Sequence, residues 1–165
     1  MRPTCRIAGL SLALAAVPIG LARQTGGPEI KLTAGERKLI ELTNAERKKE
    51  NLPPLAINQL LCKVARAHSQ NMAKQEKLQH DLDDKTPFDR LDDAKYQFRR
   101  AAENILQHAV DSAPADMLKL WMDSETHRAN ILNDGFTEIG LGFAKNNKGE
   151  LYVTQVFAAP LKKEK

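Results

Sequence analysis

Residues 137–159, TEIGLGFAKNNKGELYVTQVFAA, decide the fold. Thr137 to Ala144 alternates, with Ile139, Leu141 and Phe143 on one face of a strand. Asn146-Asn147-Lys148-Gly149 has the composition of a hairpin turn. Leu151 to Ala159 then returns. It puts Leu151, Val153, Gln155 and Phe157 on one face and Tyr152, Thr154 and Val156 on the other. The run Glu103–Gln107 (ENILQ) is a candidate third, short strand.

Upstream, the periods are helical. Thr33 followed by Glu36 is a capping-box pattern, and it opens a helix expected to reach Asn51, ahead of Pro53-Pro54. Asn58 can cap a second helix to about Leu78, with Leu61, Val64, Ala65, His68 and Met72 on one stripe. Residues 79–101 are polar and loop-rich, with a short helix opening at Thr86-Pro87. Pro114 opens another, carrying Met117, Leu118 and Trp121, and Ser124–Leu132 adds a further turn or two. Helices first and an antiparallel sheet late predict an α+β layer fold.

The chain has 165 residues, 42 % of them apolar and 28 % charged, which fits one packed domain and excludes wholesale disorder. The formal charge of +4 comes from well-mixed signs, unlike a polybasic nucleic-acid binder. Two cysteines, Cys5 and Cys62, exclude a disulfide scaffold and a cysteine-based zinc module. Arg2 and Arg6 precede an uncharged apolar run, Ile7–Ala22, that ends in Gly20-Leu21-Ala22. The run is shorter than the ~20 residues that span a bilayer. Residues 1–22 therefore read as a cleaved signal peptide, implying an extracellular or periplasmic protein with no membrane span afterwards. Residues 23–32 form a flexible lead-in, 33–160 the domain and 161–165 a charged tail. With Cys62 alone remaining, no internal disulfide forms, and the domain is expected to be monomeric.

HExxH, GxSxG, P-loop and GxGxxG signatures do not occur. The polar singularities are His80, Glu103 and His127, donor types that suit a divalent ion such as zinc. His68 lies on an apolar stripe and reads as a hydrogen-bonded core histidine. Cys62, six residues away, points some ~120° from it around the helix and reads as core.

Several stretches together resemble the CAP superfamily: cysteine-rich secretory proteins, antigen 5 and pathogenesis-related 1 proteins, in their bacterial SCP-like form. They are LTNAERKKENLPPLAINQLLCKVARAHSQNMA, LQHD, PFDRL, AENIL, LWMDSETHRANILNDGFTEIGLGFA and YVTQVF, in family order over about residues 42–157. The resemblance implies an α-β-α sandwich with a small central antiparallel sheet. It also implies a cleft where two histidines and two glutamates meet. His80, Glu103 and His127 take three of those places, and Ser124 stands at the fourth. Glu125 is adjacent but points ~100° away on a helix. Ala102 and Lys95 stand where the family has glycine. Asn104, Arg128 and Asn130 are then scaffold residues, Arg47 and Arg90 tie helices to loops, and Trp121 and Phe136 are core. The function implied is a secreted, non-catalytic binding module for a small ligand, a cell-wall component or a protein, with no required cofactor, no nucleic acid and no assigned catalytic residue. The alternative is a metal-dependent, peptidase-like hydrolase in which His80 and His127 hold the ion and Glu103 acts on water. The same three residues also read as plain scaffold, with Glu103 capping a helix end and His127 holding a loop.

Overall fold

A computed structural model describes residues 30–109 and 112–161. Residues 1–22, expected to be a signal peptide, residues 23–29 of the expected lead-in and the tail beyond Leu161 lie outside the described residues. In chain order the elements are α1 (Ala34–Lys49), β1 (Ala56–Ile57), α2 (Gln59–Gln75), α3 (Pro87–Asp93), β2 (Phe98–Ala109), α4 (Pro114–Asp123), α5 (Glu125–Ile131), β3 (Glu138–Lys145) and β4 (Glu150–Pro160).

The helix starts follow their caps. Thr33 and Glu36 form the reciprocal box that opens α1, and Thr86 with Asp89 does the same for α3, with Pro87 in the first turn. Asn58 Oδ1 accepts from the amides of Leu60 and Leu61 at the start of α2. Asn51 takes the left-handed conformation after α1, with φ 58°. Helix α2 ends at Gln75, before the expected Leu78, because Glu76 turns left-handed.

The sheet order is β1-β3-β4-β2. Strands β3–β4 and β4–β2 are antiparallel, while the two-residue β1 runs parallel to β3, so the sheet is mixed rather than purely antiparallel. Helices cover both faces, as a sheet with a fully buried central strand requires. On one face α1, α4 and α5 enclose Leu39, Ile40, Trp121, Ile131 and Phe136 against Leu141, Val153 and Phe157. On the other, α2 and α3 pack Leu61, Val64, Leu91, Met72 and Ala73 against Val156, Ala158 and Tyr152. Cys62 is buried in α2, and burial pushes its thiol pKa up.

Two extents differ from expectation. Strand β2 runs for 12 residues, well beyond ENILQ, because its first third lies at an open edge where no alternation is demanded. Ile30–Leu32, placed in a flexible lead-in, are tied down. The Ile30 amide donates to Gln59 Oε1 (2.8 Å), Arg66 Nη2 donates to the Lys31 carbonyl (2.8 Å), and Leu32 packs on the core.

Candidate functional site

Adjacent residues of a strand point to opposite faces, and this chain uses that at Glu103 and Asn104. Glu103 faces α2 and α3. Arg90 Nη2, from α3, donates to both of its carboxylate oxygens (3.0 and 2.8 Å), and His80 Nδ1 donates to Oε1 (2.9 Å). Arg90 Nη1 also holds the carbonyls of His80 (2.9 Å) and Lys85 (3.1 Å), which fixes the loop that delivers the imidazole. The Glu103 side chain is 2 % exposed and that of His80 46 %, so a buried carboxylate anchors a histidine open to solvent.

Asn104 faces the other layer. Its Nδ2 donates to the His127 carbonyl (3.1 Å) and to Gln155 Oε1 (3.3 Å), and its Oδ1 accepts from Asn130 Nδ2 (2.8 Å). Gln155 Nε2 in turn donates to Thr43 Oγ1 (2.9 Å) on α1. This line of buried polar groups is fully paired, as a low-dielectric interior demands. It sets the depth of α5 and hence the place of His127. The half-buried His127 ring lies with Nδ1 2.9 Å from Ser124 Oγ. Burial and the nearby His80 both lower its pKa. The two histidines are thus tied to neighbouring residues on opposite faces of β2, near enough for His80 to act on the His127 pKa.

His68 sits beneath them, with its side chain wholly buried. Nε2 donates to the Gln79 carbonyl (3.0 Å), next to His80, and lies 3.7 Å from Glu103 Oε1. Nδ1 has no partner. Burial lowers the pKa of this imidazole, outweighing the opposite pull of Glu103, and Arg90 and His80 add to the lowering.

The structure pairs His80 with Glu103 and His127 with Ser124. Asn104 and Asn130 act as scaffold, and Trp121 is core, with Nε1 donating to the Ile105 carbonyl (3.2 Å). Arg128 differs: it is exposed, and its guanidinium makes no hydrogen bond among the described residues. Glu125 is also exposed and stays out of the cluster. Sequence reasoning missed Gln155 as a link and His68 as a support for the site. A glutamine among Leu151, Val153 and Phe157 was the available signal for the first.

Two concavities lie away from this cluster. One of about 300 Å³ runs between α2 and the β3–β4 hairpin, beside Gln70, Lys74 and Asn146. One of about 260 Å³ lies between α1 and α4, beside Leu42, Leu118 and Met122.

As metal donors, the two histidines have the expected support, since each Nδ1 is held and Nε2 is left for a ligand. A zinc centre needs at least three protein ligands. Among the described residues no group of three histidine, cysteine or carboxylate side chains is placed to supply them, and both Glu103 oxygens are taken by Arg90. The donor set does not fit a protein-only zinc site.

The buried histidines make stability depend on pH. Folded His68 and His127 bind a proton less readily than the unfolded chain does. Below about pH 6.5 the unfolded state therefore holds more protons, and stability falls as pH drops through the depressed folded values. Thermal melts from about pH 7.5 down to about pH 5 should show this fall, and His68→Gln should flatten it. An unchanged slope in that variant would assign the pH dependence to other groups.

The Cysteine-rich secretory protein family, CAP, matches residues 40–157. The Bacillus subtilis protein YkwD is 40 % identical over 125 residues, 75 % of this chain and 47 % of its own length. The B. subtilis membrane protein YlbC is 32 % identical over 76 % of this chain and 34 % of its own length. The chain thus spans less than half of either relative. An extracellular SCP-domain protein of Bacillus anthracis, solved by crystallography, superposes with a TM-score of 0.68 at 35 % identity, covering 75 % of this chain and 40 % of that one. An outer surface protein of Borrelia burgdorferi shares the fold, with a TM-score of 0.73 at 21 % identity over 82 % of this chain and 99 % of that one. Among the described residues no helix is long and apolar enough to cross a membrane. With the family match spanning most of the domain and the sandwich in place, the chain belongs to the CAP family of cysteine-rich secretory proteins.

Proposed function

We propose that the protein is an exported binding module. It presents His80 and His127, backed by Glu103 and Ser124, to a cell-wall component or a protein partner outside the cytoplasm. The observation that carries this reading is the state of Glu103: its carboxylate is buried and both oxygens are held by Arg90. Such a group fixes its neighbours rather than taking a proton from water, for which a base must reach the reacting atom. The two imidazoles are held from behind and accessible from the front, as recognition groups should be. Export is supported by the charged start, apolar run and small residues of 1–22, and by the extracellular B. anthracis relative. The hydrolase alternative finds less support, since the described residues of the cluster offer no third metal ligand and Arg90 holds both oxygens of the Glu103 carboxylate.

The test pairs retention with turnover. Wild-type protein and the His80→Ala/His127→Ala variant are incubated with peptidoglycan sacculi and with exported proteins, and also with casein in the presence of zinc. The expected result is retention of wild type that falls at least about tenfold in the variant, the loss of roughly two hydrogen bonds, with casein left intact. Zinc-dependent casein cleavage that Glu103→Gln removes would overturn the binding reading in favour of hydrolysis.

A further inference from the structure

Strand β2 is one of the two outer strands of the sheet, and its residues Glu103 and Asn104 hold the His80 ring and the His127 carbonyl. The register shows which of its main-chain groups face outward. The carbonyls of Thr137 and Ile139 accept from the amides of Ala56 and Asn58 (2.9 Å each), so Ile139 faces β1 and its even-numbered neighbours face β4. Gly140 pairs with Val156 and Gly142 with Thr154, while Asn104 pairs with Gln155 and Ala102 with Phe157. Main-chain direction alternates along a strand. The even-numbered β4 residues therefore serve β3 and the odd ones serve β2. It follows that Ala102, Asn104 and Leu106 bond to β4, and that Ala101, Glu103, Ile105 and Gln107 turn their N–H and C=O groups away from the sheet. The Trp121 indole gives an independent check, because it donates to the Ile105 carbonyl from outside the sheet (3.2 Å).

Among the described residues, the outward N–H and C=O of Ala101 and Glu103 and the N–H of Ile105 have no hydrogen-bond partner. The Glu103 side chain is 2 % exposed but the residue as a whole is 7 %, so its main chain carries most of the remaining exposure. Polar main-chain groups at a partly covered position need a partner. The groups available here form a ladder of donors and acceptors repeating every second residue. That pattern is complementary to another extended chain, whose main chain repeats a donor and an acceptor at the same spacing, whereas an acyl chain has neither and a sugar lacks that repeat. The ladder has a built end, since Trp121 occupies the Ile105 carbonyl. At the other end Phe88, 48 % exposed, stacks on Phe98 with ring centroids 6.1 Å apart and offers an apolar surface to a side chain.

We infer that the edge of β2 between His80 and His127 docks an extended polypeptide segment, paired main chain to main chain with Ala101 and Glu103. The segment carries an N–H opposite Glu103, which excludes proline there, and an apolar side chain that rests on Phe88. This rests on the binding reading above and names the class of its partner.

The test uses the whole exported domain, labelled with nitrogen-15, and a capped peptide of alternating threonine and valine as the probe. Without peptide, the amides of Ala101, Glu103 and Ile105 should exchange with solvent far faster than those of Ala102 and Asn104. Protection of these outward amides in the protein alone would mean that a second copy or another part of the chain covers the edge, and would overturn the proposal. With peptide, the outward amides should shift and the inward ones should not. N-methylation of the central peptide residue should abolish the effect. Ala101→Pro removes an outward N–H and leaves the β4 ladder intact, a change that edge strands tolerate. It should weaken binding about fivefold, the size of one neutral hydrogen bond. If that variant does not fold, the N-methylated peptide still decides, because it leaves the protein untouched. Shifts without alternation, shifts that survive N-methylation, or no shifts at millimolar peptide would each overturn edge pairing. Retention that depends on His80 and His127 together with a silent β2 edge would leave the binding reading standing and remove only the peptide.

Discussion

Replacing Arg47 by Met should cost about 4 kcal/mol of stability, a large part of what a domain of this size has. Arg47 is wholly buried at the C-terminal end of α1. Its guanidinium is not paired with a carboxylate there. Nε donates to the Pro53 carbonyl (2.9 Å), Nη1 donates to the carbonyls of Ile131 (2.8 Å) and Asn133 (2.8 Å), and Nη2 makes a long bond to the Phe136 carbonyl (3.5 Å). These carbonyls belong to the loop after α1 and to the end of α5 with the turn that follows. One planar group thus ties the first helix to the segment that positions His127. Burial lowers the arginine pKa, yet the group stays charged over any working range. Met keeps the apolar stem and removes every donor. Four carbonyls then lose their donor, at about 1–3 kcal/mol for each that water cannot reach. Denaturant unfolding should show a lower midpoint at unchanged slope. A loss under about 1 kcal/mol would mean that water enters and takes over the donors.

The parts of this chain that were legible are those governed by local rules. Caps at Thr33, Asn58 and Thr86 announce helices because a side-chain oxygen two or three residues from an apolar run has few other uses. The β3–β4 hairpin was legible because alternation flanks a turn containing Gly149, whose φ of 79° suits glycine. Long-range consequences of those rules were not legible. Glu103 and Asn104 are neighbours in sequence, but their sharing of two layers depends on β2 lying at the sheet edge, which only the strand order decides. The partial parallel pairing of β1 was invisible, since two residues carry no period. His68 read correctly as buried and hydrogen-bonded, but its bond to the Gln79 carbonyl depends on where the loop after α2 returns. Membership of the family could be argued from the order of its motifs. The exposed setting of Arg128 could not, because a motif names a residue without saying which way it points.

Gly142→Ala should be among the most damaging single methyls in the described residues, costing on the order of 3 kcal/mol and displacing the histidine site with it. The reason is proximity rather than backbone freedom. A Cβ at Gly142 would stand 2.2 Å from Arg66 N and 2.4 Å from the Ala65 carbonyl carbon. A Cβ at Gly140 would stand 2.2 Å from the Leu61 carbonyl carbon and 2.5 Å from Cys62 N. All four are main-chain atoms of α2 and cannot swing aside as a side chain would. The spacing is regular: two strand residues advance about 6.8 Å and four helix residues about 6 Å, so the pair of glycines forms a slot in which one face of α2 lies along β3. Ser69 locks the contact, donating to the Gly142 carbonyl (2.8 Å). Read as a sequence, TEIGLGFA gives weight to Ile139, Leu141 and Phe143. The face without side chains proves to be the one that a helix covers. Lifting α2 moves His68, which holds the Gln79 carbonyl, and so moves His80 away from Glu103. Gly142→Ala should therefore lower the melting temperature and also perturb the His80 imidazole resonances. Gly149→Ala is the control. Its Cβ meets nothing within 4 Å, and the change should cost only about 1 kcal/mol for the positive φ, with the His80 signals unmoved. Equal losses in the two variants would show that β3 can withdraw from α2, and that the slot is not what sets the helix.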